Sequence, residues 1–109
     1  MTDSLTQALT ALADPTRRTV LQRLAHGPAT VGQLAALFPV SRAAVSQHVR
    51  VLREAGLVRP TSANRLSPYE LAAEPVLETE AWMRRLLDTW SAGPSARVAG
   101  RRARSEAAR

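Results

Sequence analysis

Between Thr30 and Gly56 the sequence specifies two helices that are separated by only two residues, Pro39 and Val40. A capping box begins the first helix at Thr30, and Ser41 caps the second. Gly56 can adopt the positive φ angle that ends the second helix. Two short helices joined by so tight a turn are typical of a helix-turn-helix motif.

Helical periodicity and capping residues predict three further helices. The first begins at Asp3 or Ser4, where Ser4 and Gln7 fit a capping box, and the second begins at Pro15. The last runs from Pro75 to about Ser91. The predicted buried positions of the middle helices are Val20, Leu21, Leu24, Val31, Leu34, Ala35, Phe38, Val45, Val49 and Leu52.

After Gly56 the pattern changes to short, partly alternating runs, "LVRPT" and "LSPYEL", on either side of "SANR". These runs predict a β-hairpin with Asn64 in its turn. Pro60 and Pro68 favour edge positions, because proline cannot donate a ladder hydrogen bond. The expected fold is mainly α with a small β-hairpin, in the order α1-α2-α3-α4-β-wing-β-α5.

Charge is unevenly distributed along the 109 residues. The net charge is +6, and all fifteen basic residues are arginine. Residues 92–109 contain five arginines and one glutamate, which leaves +4 in that segment and +2 in the rest. We expect residues 1–91 to form one folded domain, and residues 92–109 to form a basic, disordered tail.

Composition excludes several functional classes. The chain has no cysteine, and its only histidines are His26 and His48, so neither a metal site nor any other cofactor is predicted. No nucleophile, base and acid occur at a recognisable spacing, and no glycine-rich phosphate loop is present, so we do not expect an enzyme. Without an N-terminal signal or a long apolar run, no membrane contact and a cytoplasmic location are expected.

The outward face of the fourth helix carries the chemistry of a DNA-recognition helix. Arg42 and Gln47 suit bidentate contacts to guanine and adenine, and small alanines permit close approach to bases. Hydroxyls and a further arginine suit phosphate oxygens. The alternative is an ordinary solvated helix face. The predicted contacts are Ser41, Arg42, Ala43, Ala44, Ser46, Gln47, His48 and Arg50.

Two further surfaces have candidate roles. The hairpin offers donors to the DNA backbone or minor groove from Arg59, Asn64 and Arg65, unless it is a plain surface hairpin. The first and last helices have apolar stripes that either complete the monomer core or form a dimer interface. The candidate interface residues are Leu5, Leu9, Leu12, Trp82, Met83, Leu86, Leu87 and Trp90.

Residues 4–91 resemble the ArsR-type winged helix-turn-helix transcriptional repressors. The resemblance is carried by "ALADPTRRTVLQRL" at 11–24, "ATVGQLAALFPVSRAAVSQHVRVLREAGLV" at 29–58 and "LSPYEL" at 66–71. It implies a homodimer built from the first and last helices, which binds double-stranded DNA and represses until an effector, here unknown, releases it. It also implies that Arg42, Ala43, Ser46, Gln47 and His48 lie at the groove, with Arg65 on the wing.

The chain departs from the family's metal sensors. Its third helix, "VGQLAALF", lacks cysteine, and its last helix offers Glu78, Glu80 and Asp88 but no histidine. We therefore expect a metal-independent repressor acting as a homodimer on a palindromic operator, with autorepression as one option. The competing hypothesis is a winged-helix protein-interaction module without DNA specificity.

Overall fold

The computed structural model describes residues 3–94, which fall into two compact units, one ending at Thr79 and the other beginning at Glu80. The elements are α1 (Ser4–Leu12), α2 (Pro15–Leu24), α3 (Val31–Ala35), α4 (Arg42–Glu54), β1 (Val58–Pro60), β2 (Tyr69–Leu71) and α5 (Glu74–Ser91). The predicted fold class and element order are confirmed. Residues 95–109 of the predicted tail lie outside the described residues.

The first helix is capped by Asp3, whose carboxylate accepts a 2.7 Å hydrogen bond from the backbone N–H of Thr6. The predicted capping box of Ser4 and Gln7 is therefore wrong. Ser4 is already helical, and its hydroxyl donates to the Glu78 carboxylate at 2.9 Å. Aspartate is as good an N-cap as serine, so sequence alone did not separate the two positions.

The buried face of α1 is made of alanines. Ala8 and Ala11 are fully buried, whereas Leu5, Leu9 and Leu12 are half-buried. Small side chains let the helix backbone approach the core closely. The three leucines consequently lie at the edge of that contact and keep apolar surface exposed.

The start of α2 was predicted correctly. The Asp14 carboxylate accepts hydrogen bonds from the backbone N–H groups of Thr16 at 2.8 Å and Arg17 at 3.2 Å, and Pro15 is the first helical residue. Beyond the helix, Gly27 has φ of 139°, a conformation that a side chain disfavours.

The third helix is shorter than expected. It ends at Ala35, not at Phe38, so residues 36–40 separate it from the Ser41 cap. The N–H groups of Leu37 and Phe38 bond back to Leu34 and Ala35, which tightens the chain after the helix. Bonds that reach only three residues back belong to a turn tighter than the α-helix, so the α-helix ends before Phe38. The capping box at Thr30 is confirmed.

The end of α4 follows a Schellman pattern. The N–H of Gly56 bonds to the carbonyl of Arg53, and the N–H of Leu57 bonds to that of Leu52, both at 2.9 Å. Gly56 has φ of 76°, as the sequence predicted. Leu57 and Leu52 are fully buried, so the turn also fixes where the hairpin leaves the core.

The hairpin is confirmed, but its strands have only three residues each. They pair antiparallel, with Arg59 opposite Glu70. Tyr69 also exchanges backbone hydrogen bonds of 2.8 and 3.0 Å with Ala29, an extension of the sheet that sequence did not indicate. Thr61 to Pro68 form the wing loop, in which the Asn64 side chain accepts a 2.9 Å bond from the N–H of Leu66.

One hydrophobic cluster holds the unit that ends at Thr79 together. All ten predicted core positions belong to it, seven of them buried and the other three partly buried against its edge. The fully buried residues with the largest side chains are Leu34, Leu52, Leu57, Val20 and Val45. Because α2, α3 and α4 all pack on these side chains, the outward face of α4 is held in a fixed orientation.

Candidate nucleic-acid interface

The fourth helix separates an aliphatic back from a polar front. Val45, Val49 and Leu52 are at most 2% exposed, and they anchor the helix to the core. The polar front is formed by exposed residues, with Ala44 and His48 half-buried at its edges. The exposed residues are Ser41, Arg42, Ala43, Ser46, Gln47, Arg50 and Arg53.

The front of α4 has no carboxylate before its last residue, Glu54. Arg50 Nε lies 3.1 Å from Glu54 Oε1, but both side chains are about two-thirds exposed or more, so water screens this pair. Ser41 Oγ accepts the N–H of Ala44 at 3.1 Å and keeps its own proton to donate. The beginning of the helix is therefore rich in donors and carries positive charge.

His48 is held from the core side of α4. Its Nδ1 lies 3.5 Å from Nη1 of Arg17, which in turn lies 4.0 Å from the Asp14 carboxylate. The pKa of Asp14 is lowered chiefly by the hydrogen bond from the backbone N–H of Arg17, and the charges of Arg17 and His48 add to the effect. His48 therefore has Arg17 as its partner within the protein, and it also lies at the edge of the polar front of α4.

The three wing candidates have different surroundings. Arg59 is engaged, with Nε 3.0 Å from Glu70 and Nη1 3.8 Å from Glu74. Asn64 uses its side-chain oxygen to hold the loop turn. Arg65 is exposed, and within residues 3–94 it has no ion-pair partner. Of the three, Arg65 is the donor with both its charge and its hydrogen bonds available to a ligand.

The structure brings Arg42 and Arg65 to the same groove, between α3, α4 and the wing loop. They belong to separate predicted elements, and nothing in the sequence connects them. The places of Thr30 and Tyr69 in this groove were not predicted, and neither was Arg17 as the partner of His48. No local pattern in the sequence connects Arg17 with His48, which is 31 positions away.

The part of α5 that begins at Glu80 has an apolar face. Its five predicted interface residues are 39–56% exposed: Trp82, Met83, Leu86, Leu87 and Trp90. At about 100° per residue they span about 140° of the helix circumference. An apolar face of this size is typical of a contact surface.

No helix within residues 3–94 is long and apolar enough to cross a membrane. In the same range, no three histidine, aspartate or glutamate side chains cluster as metal ligands would.

Residues 12–61 match a family model described as a helix-turn-helix domain. The chain is 51% identical over 85 residues to the HTH-type transcriptional regulator Rv2034 of Mycobacterium tuberculosis, covering 73% of this chain and 79% of that protein. It is 30% identical over 73 residues to the transcriptional repressor SdpR of Bacillus subtilis, covering 67% and 81% respectively.

Solved structures agree with the sequence relatives. The crystal structure of the ArsR family transcriptional regulator RHA00566 superposes with a TM-score of 0.76 at 36% identity, covering 82% of this chain and 98% of that one. The homodimeric winged helix-turn-helix DNA-binding domain Mb0332 from Mycobacterium bovis, solved by NMR in solution, gives 0.62 at 26% identity, covering 79% and 80%. The helix order, the wing and these relatives show that the chain belongs to the ArsR family of winged helix-turn-helix DNA-binding transcriptional regulators, which are not enzymes.

Proposed function

We propose that this chain is a homodimeric repressor that binds a palindromic operator in double-stranded DNA through α4. The observation that carries the proposal is the front of α4, which is exposed and free of carboxylates as far as Arg53, while Val45, Val49 and Leu52 fix its back. An α-helix with small and donor side chains near its N-terminus fits the major groove.

Within this interface the residues have distinct roles. Gln47 lies one turn beyond Ala43 on the exposed front, where its amide reads a base edge and Ala43 permits close approach. Ser41, Ser46 and Arg50 contact phosphates, which set the register of the helix. Ala44 and His48 contact DNA from the edges of the front. Arg65 on the wing contacts the sugar-phosphate backbone, with smaller contributions from Arg59 and Asn64.

Dimerisation uses the apolar face of α5 from Trp82 to Trp90. This face is too exposed to stabilise a monomer, and the related domain Mb0332 is homodimeric. The half-exposed leucines of α1, which are Leu5, Leu9 and Leu12, add a second apolar surface to the dimer. A two-fold dimer presents two α4 helices to major grooves about 34 Å apart, so its operator is a palindrome.

Repression follows from occlusion, because a dimer on a promoter excludes RNA polymerase from the same DNA. The relative SdpR is named as a transcriptional repressor. We further propose that the promoter of this chain's own gene is among its targets. No small-molecule effector is needed for this activity.

Selection of genomic fragments tests the proposal directly. Purified protein is mixed with sheared DNA from the source genome, and bound fragments are sequenced after several rounds. We expect enrichment of one palindrome whose half-sites are about 10 base pairs apart, including a copy near the protein's own gene. Affinity for that duplex, measured by fluorescence anisotropy, should fall steeply between about 50 and 200 mM KCl.

Three results would count against the proposal. Enrichment of no motif would remove sequence specificity, and a salt-independent or undetectable affinity for duplex DNA would favour a protein-interaction module. A motif without two-fold symmetry would refute the dimeric arrangement while leaving DNA binding in place.

A further inference from the structure

Arg42 and Arg65 line one surface groove of about 240 Å³, although 23 positions separate them in sequence. Four residues with hydroxyl groups also line it, namely Thr30, Ser46, Ser67 and Tyr69, and no aspartate or glutamate does. The groove lies beside α4 and continues the surface proposed for DNA. Its lining therefore combines two guanidinium groups with neutral donors.

The guanidinium of Arg42 lies close to Gly32 at the start of α3. Its Cζ atom lies 3.8 Å from the position that a Cβ atom of Gly32 would occupy, and its Nη1 lies 3.9 Å from that position. Thr30 Oγ1 lies 3.8 Å from the same point. The guanidinium of Arg42 therefore rests over the start of α3.

Neither arginine of the groove has an acidic partner among residues 3–94. Elsewhere in that range, the arginines with carboxylate partners are Arg17, Arg50 and Arg59. Two guanidinium groups in one groove repel each other, and an anion between them relieves that repulsion. Guanidinium groups match phosphate in charge and in the planar geometry of their donors.

Thr30 and Ser46 add hydroxyl donors to the groove. Thr30 Oγ1 accepts the N–H of Gln33 at 3.1 Å as a helix cap, and its O–H remains able to donate. Ser46 is exposed on α4 at the edge of the groove. Both hydroxyls can donate to oxygens of a bound anion without breaking a protein hydrogen bond.

We propose that this groove binds one phosphoryl group, and that in the DNA complex the group is a single backbone phosphate held jointly by Arg42 and Arg65. The proposal rests on the DNA-binding function above and deepens it. It assigns Arg42 to the backbone instead of to a guanine edge. The recognition helix and the wing are then fixed to the same phosphate, which sets the depth at which Gln47 enters the groove.

The affinities of single and double variants test whether the two arginines share a phosphate. Arg42→Ala, Arg65→Ala and the double variant are compared with wild type on the selected palindrome and on a shuffled duplex. Each single variant should weaken both duplexes by the same factor, roughly tenfold. The double variant should weaken binding by less than the product of the two factors, because residues that act on one partner are not additive.

The slope of log affinity against log salt gives an independent count of phosphates. It changes by about 0.9 for each phosphate contact removed from B-DNA. The double variant should therefore lower the slope by about 0.9, whereas two separate phosphates would lower it by about 1.8. Arg42→Lys should keep most of the slope, because it retains the charge. Arg85→Ala on α5 is the control for loss of one positive charge and should leave both duplexes unaffected.

A titration with inorganic phosphate tests the groove without DNA. The Nε–Hε signals of Arg42 and Arg65 in ¹⁵N-edited NMR spectra should shift with one common midpoint, and Arg42→Ala should weaken the response of Arg65. These shifts could also occur in a wild-type protein that binds no duplex. In that case the groove is a phosphoryl site whose ligand is a free phosphorylated molecule, and only the proposed DNA function fails.

Three outcomes would overturn the inference. Arg42→Ala could weaken the palindrome alone, which would mean that Arg42 reads a base. The double variant could show additive losses with a slope change of about 1.8. Finally, inorganic phosphate could shift neither NMR signal. If wild type then either binds DNA with no contribution from these two arginines or binds no duplex at all, the groove is not an anion site.

Discussion

The guanidinium of Arg17 lies 3.5 Å from Nδ1 of His48, so the beginning of α2 contacts the middle of α4. The same guanidinium closes the end of α1. Its Nε donates to the carbonyl of Ala11 at 2.7 Å, and its Nη2 donates to that of Thr10 at 3.2 Å. One side chain, only 16% exposed, therefore connects three helices.

Loss of the Arg17 side chain should destabilise the protein. Arg17→Ala leaves two helix-end carbonyls without their charged donor, and we expect the free energy of unfolding in urea to fall by about 2 kcal/mol. Arg18→Ala is the matched control, because Arg18 makes one exposed bond of 2.7 Å to Leu12. That variant should lose less than about 1 kcal/mol. Equal losses would show that the contact with three helices contributes nothing.

Asp14 should make stability sensitive to acid. Hydrogen bonding by the backbone N–H of Arg17 lowers its pKa in the folded state, whereas an unfolded aspartate titrates near pH 3.9. The stabilisation is therefore present above about pH 4 and is lost as pH falls through the lower, folded pKa. Asp14→Asn keeps a capping oxygen without the charge, so its urea midpoint should fall less steeply below pH 4. Parallel curves for wild type and variant would contradict this.

Gln47 should determine sequence preference. Gln47→Ala should cost about 1–3 kcal/mol on the selected palindrome and discriminate less against a substitution at the contacted base pair. The salt slope should not change, because no phosphate contact is lost. Gln22→Ala, an exposed glutamine on α2, is the control. Unchanged discrimination in the Gln47 variant, measured by anisotropy on a series of single-base duplexes, would exclude this role.

A charge in the apolar face of α5 should dissociate the dimer. Leu87→Glu should raise the dimer dissociation constant in sedimentation equilibrium by at least about 100-fold, because burying an unpaired carboxylate is costly. Trp82 and Trp90 are the only tryptophans of the chain, so their emission should shift to the red as this face meets water. Asp88→Arg changes the opposite side of the helix and should leave the dimer intact. If both variants remain dimeric, the dimer forms elsewhere.

Two glycine substitutions should have opposite effects. Gly56→Ala forces alanine to φ of 76° and should cost about 1–2 kcal/mol in thermal or urea unfolding, although its nearest neighbour would be 3.5 Å away. Gly32→Ala lies inside α3, and its Cβ would meet Arg42 at an ordinary 3.8 Å. It should be neutral or stabilise by up to about 1 kcal/mol. A loss at Gly32 equal to that at Gly56 would refute the conformational explanation.

Short-range features of the sequence predicted the helix ends and the buried positions well. Asp14, Ser41 and Gly56 mark helix ends through bonds within a few residues, so their identity was sufficient. The six aliphatic positions predicted to be buried in α2 and α4 recur at the helical period, and all six are buried. The expectation for α3 failed because its apolar period continues to Phe38, whereas the helix ends at Ala35 and the N–H groups of Leu37 and Phe38 bond only three residues back.

The sequence by itself determined the helices, the hairpin, the family and the polar front of α4, because each depends on short-range periodicity, capping or a continuous motif. Only the tertiary structure decided how the arginines are used. It set Arg59 opposite Glu70, Arg17 against His48, and Arg42 in one groove with Arg65. Those pairings join residues that are 11 to 31 positions apart, and no local pattern specifies them. They arise when the aliphatic cores of separate elements pack and bring their polar edges together.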